Sequence, residues 1–77
     1  MEVTVRLFAT LKDLLPEDKK KISIELEAGS TVNEVIEYFE IPQEKPLIIK
    51  VNGRHGSKST ILEDRDRVGI FPPVGGG

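Results

Sequence analysis

Hydrophobic and polar residues alternate along two segments near the N-terminus. In residues 2–8 and again in residues 21–27, apolar side chains stand at every second position. A period of two is typical of a strand with one buried face. We therefore predict two strands, which a loop of this length joins most simply as an antiparallel pair. Between them, the spacing of Leu11, Leu14 and Leu15 predicts a short helical turn packed on the core.

One segment carries the signature of an amphipathic helix. Thr31 and Glu34 have the spacing of a capping box, in which each side chain bonds to the backbone of the other residue. Apolar residues follow at helical spacing on one face: Val32, Val35, Ile36 and Phe39. We predict a helix that starts after Thr31 and ends near Glu40, because Pro42 disfavours helix at the residue before it.

The C-terminal third of the chain predicts further strands. Residues 47–51 are a compact apolar run, and Asn52-Gly53 is a strong turn signal. Residues 54–60 leave room for a short fourth strand, and residues 67–71 alternate as a last strand. One helix on a mixed sheet is the compact way to bury these faces. We predict an α+β fold, the β-grasp arrangement, with four to five strands and with the first and last strands parallel at the centre.

Composition removes several classes of function. The chain has 77 residues, no cysteine and a net charge of -2. The charge gives no general affinity for nucleic acid, and no apolar run reaches the length of a membrane span. The lack of cysteine excludes disulfides, thiolate metal sites and a thiol nucleophile, and it is compatible with a reducing cytoplasm. We expect one domain over residues 1–77, cytoplasmic, with no nucleic-acid or membrane partner.

The polar residues predict neither a metal site nor a catalytic base. His55 is the only histidine and stands in a polar loop. Glu63, Asp64 and Asp66 lack the ligand count that calcium requires, so a charged turn is the simpler interpretation. The lysines at 19–21 are interpreted as a solvated connection, with a docking site for an acidic partner as the alternative.

The C-terminus has an unusual composition: Phe71-Pro72-Pro73-Val74-Gly75-Gly76-Gly77. The two prolines stiffen the backbone and remove two N–H donors, so strand pairing must stop there. Glycine has no Cβ, so another protein can close tightly around such a tail. We predict that residues 72–77 are an exposed flexible tail that presents the terminal carboxyl group. The alternative is a glycine-rich terminus without a function.

These features together resemble the ubiquitin-like sulfur carriers, most closely the small subunit of molybdopterin synthase, the MoaD family. Residues 7–13 are similar to its Phe-Ala-x-Leu segment, residues 51–53 to its Val-Asn-x stretch, and residues 68–77 to its hydrophobic-Pro-Pro-Val-x-Gly-Gly ending. The two prolines favour this branch over the thiazole-pathway carriers (ThiS). Arg65 departs from the resemblance, because the family often has glycine in this turn. Either Arg65 adopts a strained backbone or the turn type differs.

The resemblance implies chemistry at Gly77. An E1-like adenylyltransferase of the MoeB or ThiF type would use ATP to adenylate Gly77, and a sulfur donor would convert the adenylate to a thiocarboxylate. Gly75 and Gly76 would let the tail thread a narrow channel. The large synthase subunit (MoaE type), or another acceptor, would take the sulfur. The alternatives are a carrier for thiamin thiazole or tRNA thiolation and a ubiquitin-like protein modifier; in each case the chain holds no cofactor and is not catalytic alone.

Ordering a tail costs about 1–2 kcal/mol per residue, so the folded surface must supply compensating contacts. We predict an apolar docking patch on the sheet face away from the helix. Its candidate residues are Phe8, Ile48 and Phe71, continued by Pro72, Pro73 and Val74 of the tail, with Arg6 and Lys50 at the rim. The alternative is that these are ordinary, partly buried side chains.

Overall fold

Five strands form one mixed sheet in the part of the chain that the computed structural model describes, residues 1–16, 19–42 and 46–72. The strands are β1 (Glu2–Leu7), β2 (Lys21–Glu25), β3 (Ile48–Val51), β4 (Arg54–Gly56) and β5 (Arg67–Phe71). An α-helix, α1 (Val32–Tyr38), and a 3₁₀ helix (Ala9–Leu14) accompany the sheet. The strand order is β2-β1-β5-β3-β4.

The first and last strands lie side by side at the centre of the sheet. They are parallel, with Thr4 opposite Arg67 and Leu7 opposite Ile70. The other three pairings, β1 with β2, β3 with β5 and β3 with β4, are antiparallel. The chain between β1 and β5 contains α1, as the crossover between parallel strands requires. The predicted α+β, ubiquitin-like β-grasp arrangement is therefore confirmed.

The core lies on one face of the sheet. Its fully buried side chains come from the inner face of the central strands, from α1 and from the loop before β5: Val3, Val5, Leu7, Val32, Val35, Ile36, Leu62, Val68 and Ile70. The alternating residues of β1 and three of the four predicted helix positions, Val32, Val35 and Ile36, are thus core, whereas Phe39 follows the end of α1 and is only partly buried against that core. Leu62 anchors the charged turn that follows it.

The leucines after β1 do not all face this core. The predicted helical turn is the 3₁₀ helix, and Leu11 and Leu15 are buried, but Leu14 is 41% exposed. The helix ends at Leu14, and Leu15 continues in an extended conformation with φ -91° and ψ 155°. This change of backbone direction brings Leu15 back to the core in place of Leu14. The expectation that all three leucines pack inward is wrong for Leu14.

A side-chain network fixes the start of α1. The Glu34 carboxylate accepts hydrogen bonds from the backbone N–H of Thr31, at 2.6 Å, and from its hydroxyl, at 2.5 Å. The Glu34 N–H in turn donates to the Thr31 carbonyl at 3.0 Å. The predicted capping box is present. The bonds from the Thr31 side chain, and next from its backbone, hold the pKa of Glu34 below its ordinary value of 4.5.

The turn before β5 keeps the backbone of a glycine turn. Arg65 has φ 69°, in the left-handed region, and its N–H donates to the Glu2 carbonyl at 2.6 Å. The carboxylate of Asp64 accepts from the Glu2 N–H at 2.7 Å, and that of Asp66 accepts from the Glu63 N–H at 2.8 Å. These carboxylates serve the turn itself, and Arg65 holds a conformation that glycine adopts more easily.

Replacing Thr31 by valine should raise the pKa of Glu34 towards its ordinary value, because the hydroxyl donor is lost. A group whose folded pKa is lowered stabilises the fold above its unfolded pKa and loses this effect as the pH falls through the folded pKa. As the pH falls through the folded pKa of Glu34, the free energy of unfolding should therefore decrease less in the variant than in the wild type. Carbon-detected NMR titration of the Glu34 carboxyl checks the shift. Asn33→Ala, which removes a bond to Glu37 instead, should leave the Glu34 pKa unchanged.

Arg65→Gly should stabilise the fold by about 0.5–1 kcal/mol. A left-handed conformation costs an L-residue roughly 1–2 kcal/mol, and the extra chain entropy of glycine cancels about 0.5–1 kcal/mol of the gain. The exposed contact of Arg65 with Asp64, at 3.9 Å, contributes little. Urea unfolding measures the change. Arg65→Ala retains a Cβ and should show no such gain; an equal gain in both variants would refute backbone strain as its cause.

Candidate docking surface on the open sheet face

Three of the predicted docking residues form one apolar row across the central strands. The pairing of Leu7 with Ile70 sets Phe8 beside Phe71, and their rings are stacked with centroids 4.0 Å apart and planes 6° from parallel. Ile48 lies opposite Phe71 on β3 and is 37% exposed. The structure therefore brings the three side chains together on the sheet face opposite the core, where an apolar partner surface can contact them.

Gly69 makes room for this aromatic pair. A Cβ at position 69 would lie 3.3 Å from Cε2 of Phe8 and 3.6 Å from Cε1 of Phe71. The absence of a side chain therefore lets both rings lie against β5. Gly69 was not among the predicted docking residues, although a glycine inside a strand is a known sign of close approach.

The predicted rim cations flank Gly69 on either side. Arg6 lies opposite Gly69 on β1, and Lys50 lies opposite it on β3. The guanidinium carbon of Arg6 is 5.1 Å from the ring centroid of Phe8, which is within cation–π distance. An open concavity of about 560 Å³ lies here, and its lining includes Arg6, Phe8, Lys50, Arg67, Gly69 and Phe71.

Asn52 ties the turn after β3 to the start of β5. Asn52 and Gly53 have φ 53° and 82°, as expected for a tight Asn-Gly hairpin. The Asn52 side chain accepts from the Arg67 N–H and donates to the Asp66 carboxylate, both at 2.9 Å. Its backbone N–H donates to the Arg67 carbonyl at 2.8 Å. The start of β5 is thereby held at several points beside the docking surface.

The predicted tail begins where this surface ends. Pro72 follows Phe71 directly and is partly buried. The predicted tail residues beyond it, Pro73, Val74, Gly75, Gly76 and Gly77, lie outside the described residues. Their predicted roles therefore stay predictions.

The described ranges contain neither a group of metal ligands nor a membrane-spanning helix. Among residues 1–16, 19–42 and 46–72, no group of three or more histidine, aspartate and glutamate side chains could hold a metal ion. None of the helices in those same ranges combines the length and the apolar character needed to cross a membrane.

In the described residues, the parallel central strands, the helix α1 on one face and the open second face define the class: a ubiquitin-like β-grasp domain. The family model described as the ThiS family matches residues 5–77. The chain therefore belongs to the ThiS family of ubiquitin-like sulfur carriers. No curated protein matches the chain.

Solved structures agree with this membership. A protein assigned as molybdopterin converting factor, subunit 1, from Pyrococcus furiosus is 31% identical, with a TM-score of 0.74, over 95% of this chain and 98% of that one. A complex of subunits 1 and 2 of molybdopterin-converting factor from Helicobacter pylori contains a chain that is 26% identical, with a TM-score of 0.59, over 100% of both chains. The BexX/CysO complex from Amycolatopsis orientalis matches at 26% identity, with a TM-score of 0.65, over 97% of this chain and 99% of that one.

Gly69→Ala should displace the Phe8 ring by a few tenths of an ångström, because the new Cβ would lie 3.3 Å from Cε2 of Phe8. Weaker ring pairing costs up to about 0.5–1.5 kcal/mol, and alanine inside a strand regains about 0.5–1 kcal/mol relative to glycine, so we expect a net loss of stability of at most about 1 kcal/mol. Ring-current shifts of the Phe8 and Phe71 protons would report the displacement directly.

A double-mutant cycle with Phe8→Leu provides the control for this prediction. Once the Phe8 ring is absent, the added methyl group at position 69 should cost much less. Equal costs of Gly69→Ala with and without the ring would show that backbone effects in β5, rather than ring contact, cause the loss.

Proposed function

We propose that this chain carries sulfur as a thiocarboxylate on Gly77 and serves as the small subunit of a molybdopterin synthase. The observation that carries the proposal is the family match, which runs through to residue 77 and so includes the terminal glycines. The similarity to the Pyrococcus furiosus protein favours the molybdopterin branch. The Pro72-Pro73 pair before the glycines supports the same branch.

Activation has to come from a partner. A free carboxylate is ionised at neutral pH and is a poor electrophile. In the proposed sequence, an oxygen of Gly77 attacks the α-phosphorus of ATP on an E1-like adenylyltransferase, and pyrophosphate leaves. A hydrosulfide equivalent from a sulfur donor then attacks the acyl carbon and displaces AMP, which leaves the thiocarboxylate. The ATP requirement agrees with a cytoplasmic location.

The folded part of the chain would then serve to bind partners. Phe8, Ile48 and Phe71 offer an apolar contact that leads directly into the tail at Pro72. The Helicobacter pylori and Amycolatopsis orientalis neighbours were each solved in a complex with another protein, which supports a protein partner for this chain. Gly75 and Gly76 would pass through a narrow channel, and a large subunit of the MoaE type would accept the sulfur.

Intact-mass analysis tests the proposal. The full chain is incubated with an adenylyltransferase of the MoeB or ThiF type, ATP and a sulfur source. We expect a mass increase equal to the difference between sulfur and oxygen, and no increase without ATP. A second incubation with a MoaE-type subunit and the pterin precursor should return the original mass as the sulfur is transferred.

A chain with a carboxamide in place of the Gly77 carboxyl group is the matched control, since it has the same length and the same fold. It should gain no sulfur. Deletion of Gly77 keeps a carboxyl group but shortens the reach by roughly 3.5 Å, and it should slow the reaction. Sulfur incorporation into the amidated chain would refute the proposal. Conjugates with other proteins, formed through the same carboxyl group, would identify a protein modifier instead.

A further inference from the structure

A row of positive charges crosses the open face of the sheet at the level of Gly69. The strand registers set Lys21 opposite Arg6, Arg6 opposite Gly69, and Gly69 opposite Lys50. His55 stands opposite Lys50 on the next strand, β4. Across the neighbouring strands β2, β1, β5 and β3, the residues at this level are therefore Lys21, Arg6, Gly69 and Lys50. Three of them are cations, and Gly69 has no side chain. We call Lys21, Arg6 and Lys50 the cationic row.

The cationic row has no carboxylate partner among residues 1–16, 19–42 and 46–72. The ion pairs found in those ranges join the N-terminal amine to Glu25 and Arg65 to Asp64. Arg6 and Lys21 even face each other directly across an antiparallel pair, where like charges are unfavourable. This arrangement occurs in a chain that has more acidic than basic residues. Within the described ranges, the fold thus gathers cations on one face without a carboxylate that pairs with them.

The cationic row and the aromatic pair share one concavity. Its lining contains Lys21, Arg6 and Lys50, together with both phenylalanines, and Lys20 and Arg67 add two further positive charges. Arg6 to Lys50 spans two strand spacings, which is roughly 10 Å. A ligand that fills this volume of about 560 Å³ therefore meets apolar ring surface and several cations at once.

We propose that this concavity binds an acidic segment of a partner protein, in which two or more carboxylates flank an apolar side chain. The carboxylates would pair with the cationic row, and the apolar side chain would contact Phe8 and Phe71. This proposal adds to the proposed function the chemistry that the partner's surface must present. It rests on the proposed function in one respect only, namely that the partner is a protein that acts on the tail.

A protein segment fits this surface better than a single-stranded nucleic acid does. Binding of bases depends on open aromatic faces on which they can stack. Here Phe71 covers one face of Phe8 at 4.0 Å, and the guanidinium group of Arg6 also lies over that ring.

NMR titration of the isotope-labelled full chain tests the inference with defined probes. The probes are the capped peptide Glu-Asp-Leu-Asp-Glu, its neutral counterpart Gln-Asn-Leu-Asn-Gln, and oligouridylate. We expect the acidic peptide to shift the amides of Arg6, Gly69 and Lys50, and to bind more weakly as salt is added. The neutral peptide should cause much smaller shifts.

The double variant Arg6→Gln/Lys50→Gln should weaken binding of the acidic peptide by roughly tenfold, since each exposed charge pair contributes up to about 1 kcal/mol. The variant should remain folded, because the change leaves the buried core intact, and the loss of the contact between Arg6 and the Phe8 ring is offset in part by the removal of repulsion between Arg6 and Lys21. Lys12→Gln/Lys19→Gln is the matched control, with the same change in charge outside the concavity, and should bind like the wild type.

The inference would be overturned by no binding of the acidic peptide, by equal binding of the neutral peptide, or by equal weakening in both double variants. Tighter binding of oligouridylate at the same amides would assign the surface to nucleic acid and overturn it as well. The titration involves neither ATP nor sulfur. A chain that binds the acidic peptide but never acquires a thiocarboxylate would therefore refute only the proposed function, and the reverse result would refute only the inference.

Discussion

The parallel pairing of β1 with β5 is the constraint on which the rest of the structure depends. Backbone bonds at both ends of the pair fix it: the Thr4 N–H donates to the Asp66 carbonyl at 2.9 Å, and the Phe8 N–H donates to the Ile70 carbonyl at 3.2 Å. This register sets the two phenylalanines side by side. It also makes the last strand a central one, so that Phe71 and Pro72 lie at the end of a strand in the middle of the sheet.

The same register separates two chemically different faces. On the inner face, residues such as Val5 and Val68 are opposite each other and fully buried against α1. On the outer face, the intervening positions hold Arg6, Gly69 and the phenylalanines. A shift by one residue would exchange the faces and bury the charges. Stability of the core and presentation of the docking surface therefore depend on one alignment.

Much of this fold is predictable from the sequence, because strand alternation and the capping box are local signals. Such signals identify the buried face of β1, the start of α1 at Thr31 and the turn at Asn52. The inward packing of Leu14 was predicted wrongly, since a single extended residue after a 3₁₀ helix redirects the chain. For Arg65 the sequence left two alternatives, a strained backbone or a different turn type, and the structure shows a left-handed backbone at this residue.

Only part of the candidate site was predictable, because local signals in the sequence identify its apolar residues but not its cations. The apolar residues Phe8, Ile48 and Phe71 could be named from the alternation together with the family resemblance. The cationic row could not, because Lys21, Arg6 and Lys50 come from three strands whose mutual register is a long-range property. No local pattern marks residues that only strand pairing makes neighbours. The tail chemistry remains a proposal, since it concerns residues beyond Pro72.

The central position of β5 has a mechanical consequence. The chain enters β1 at one end of the sheet and leaves β5 at the opposite end, because the two strands are parallel. Tension applied to the tail is directed along β5, whose neighbours on both sides are hydrogen-bonded to it, and the side chain of Asn52 holds its far end. If a partner pulls on the tail, as in the proposed function, the force loads the ladder of β5 in shear, with many hydrogen bonds sharing it, instead of peeling a strand away bond by bond.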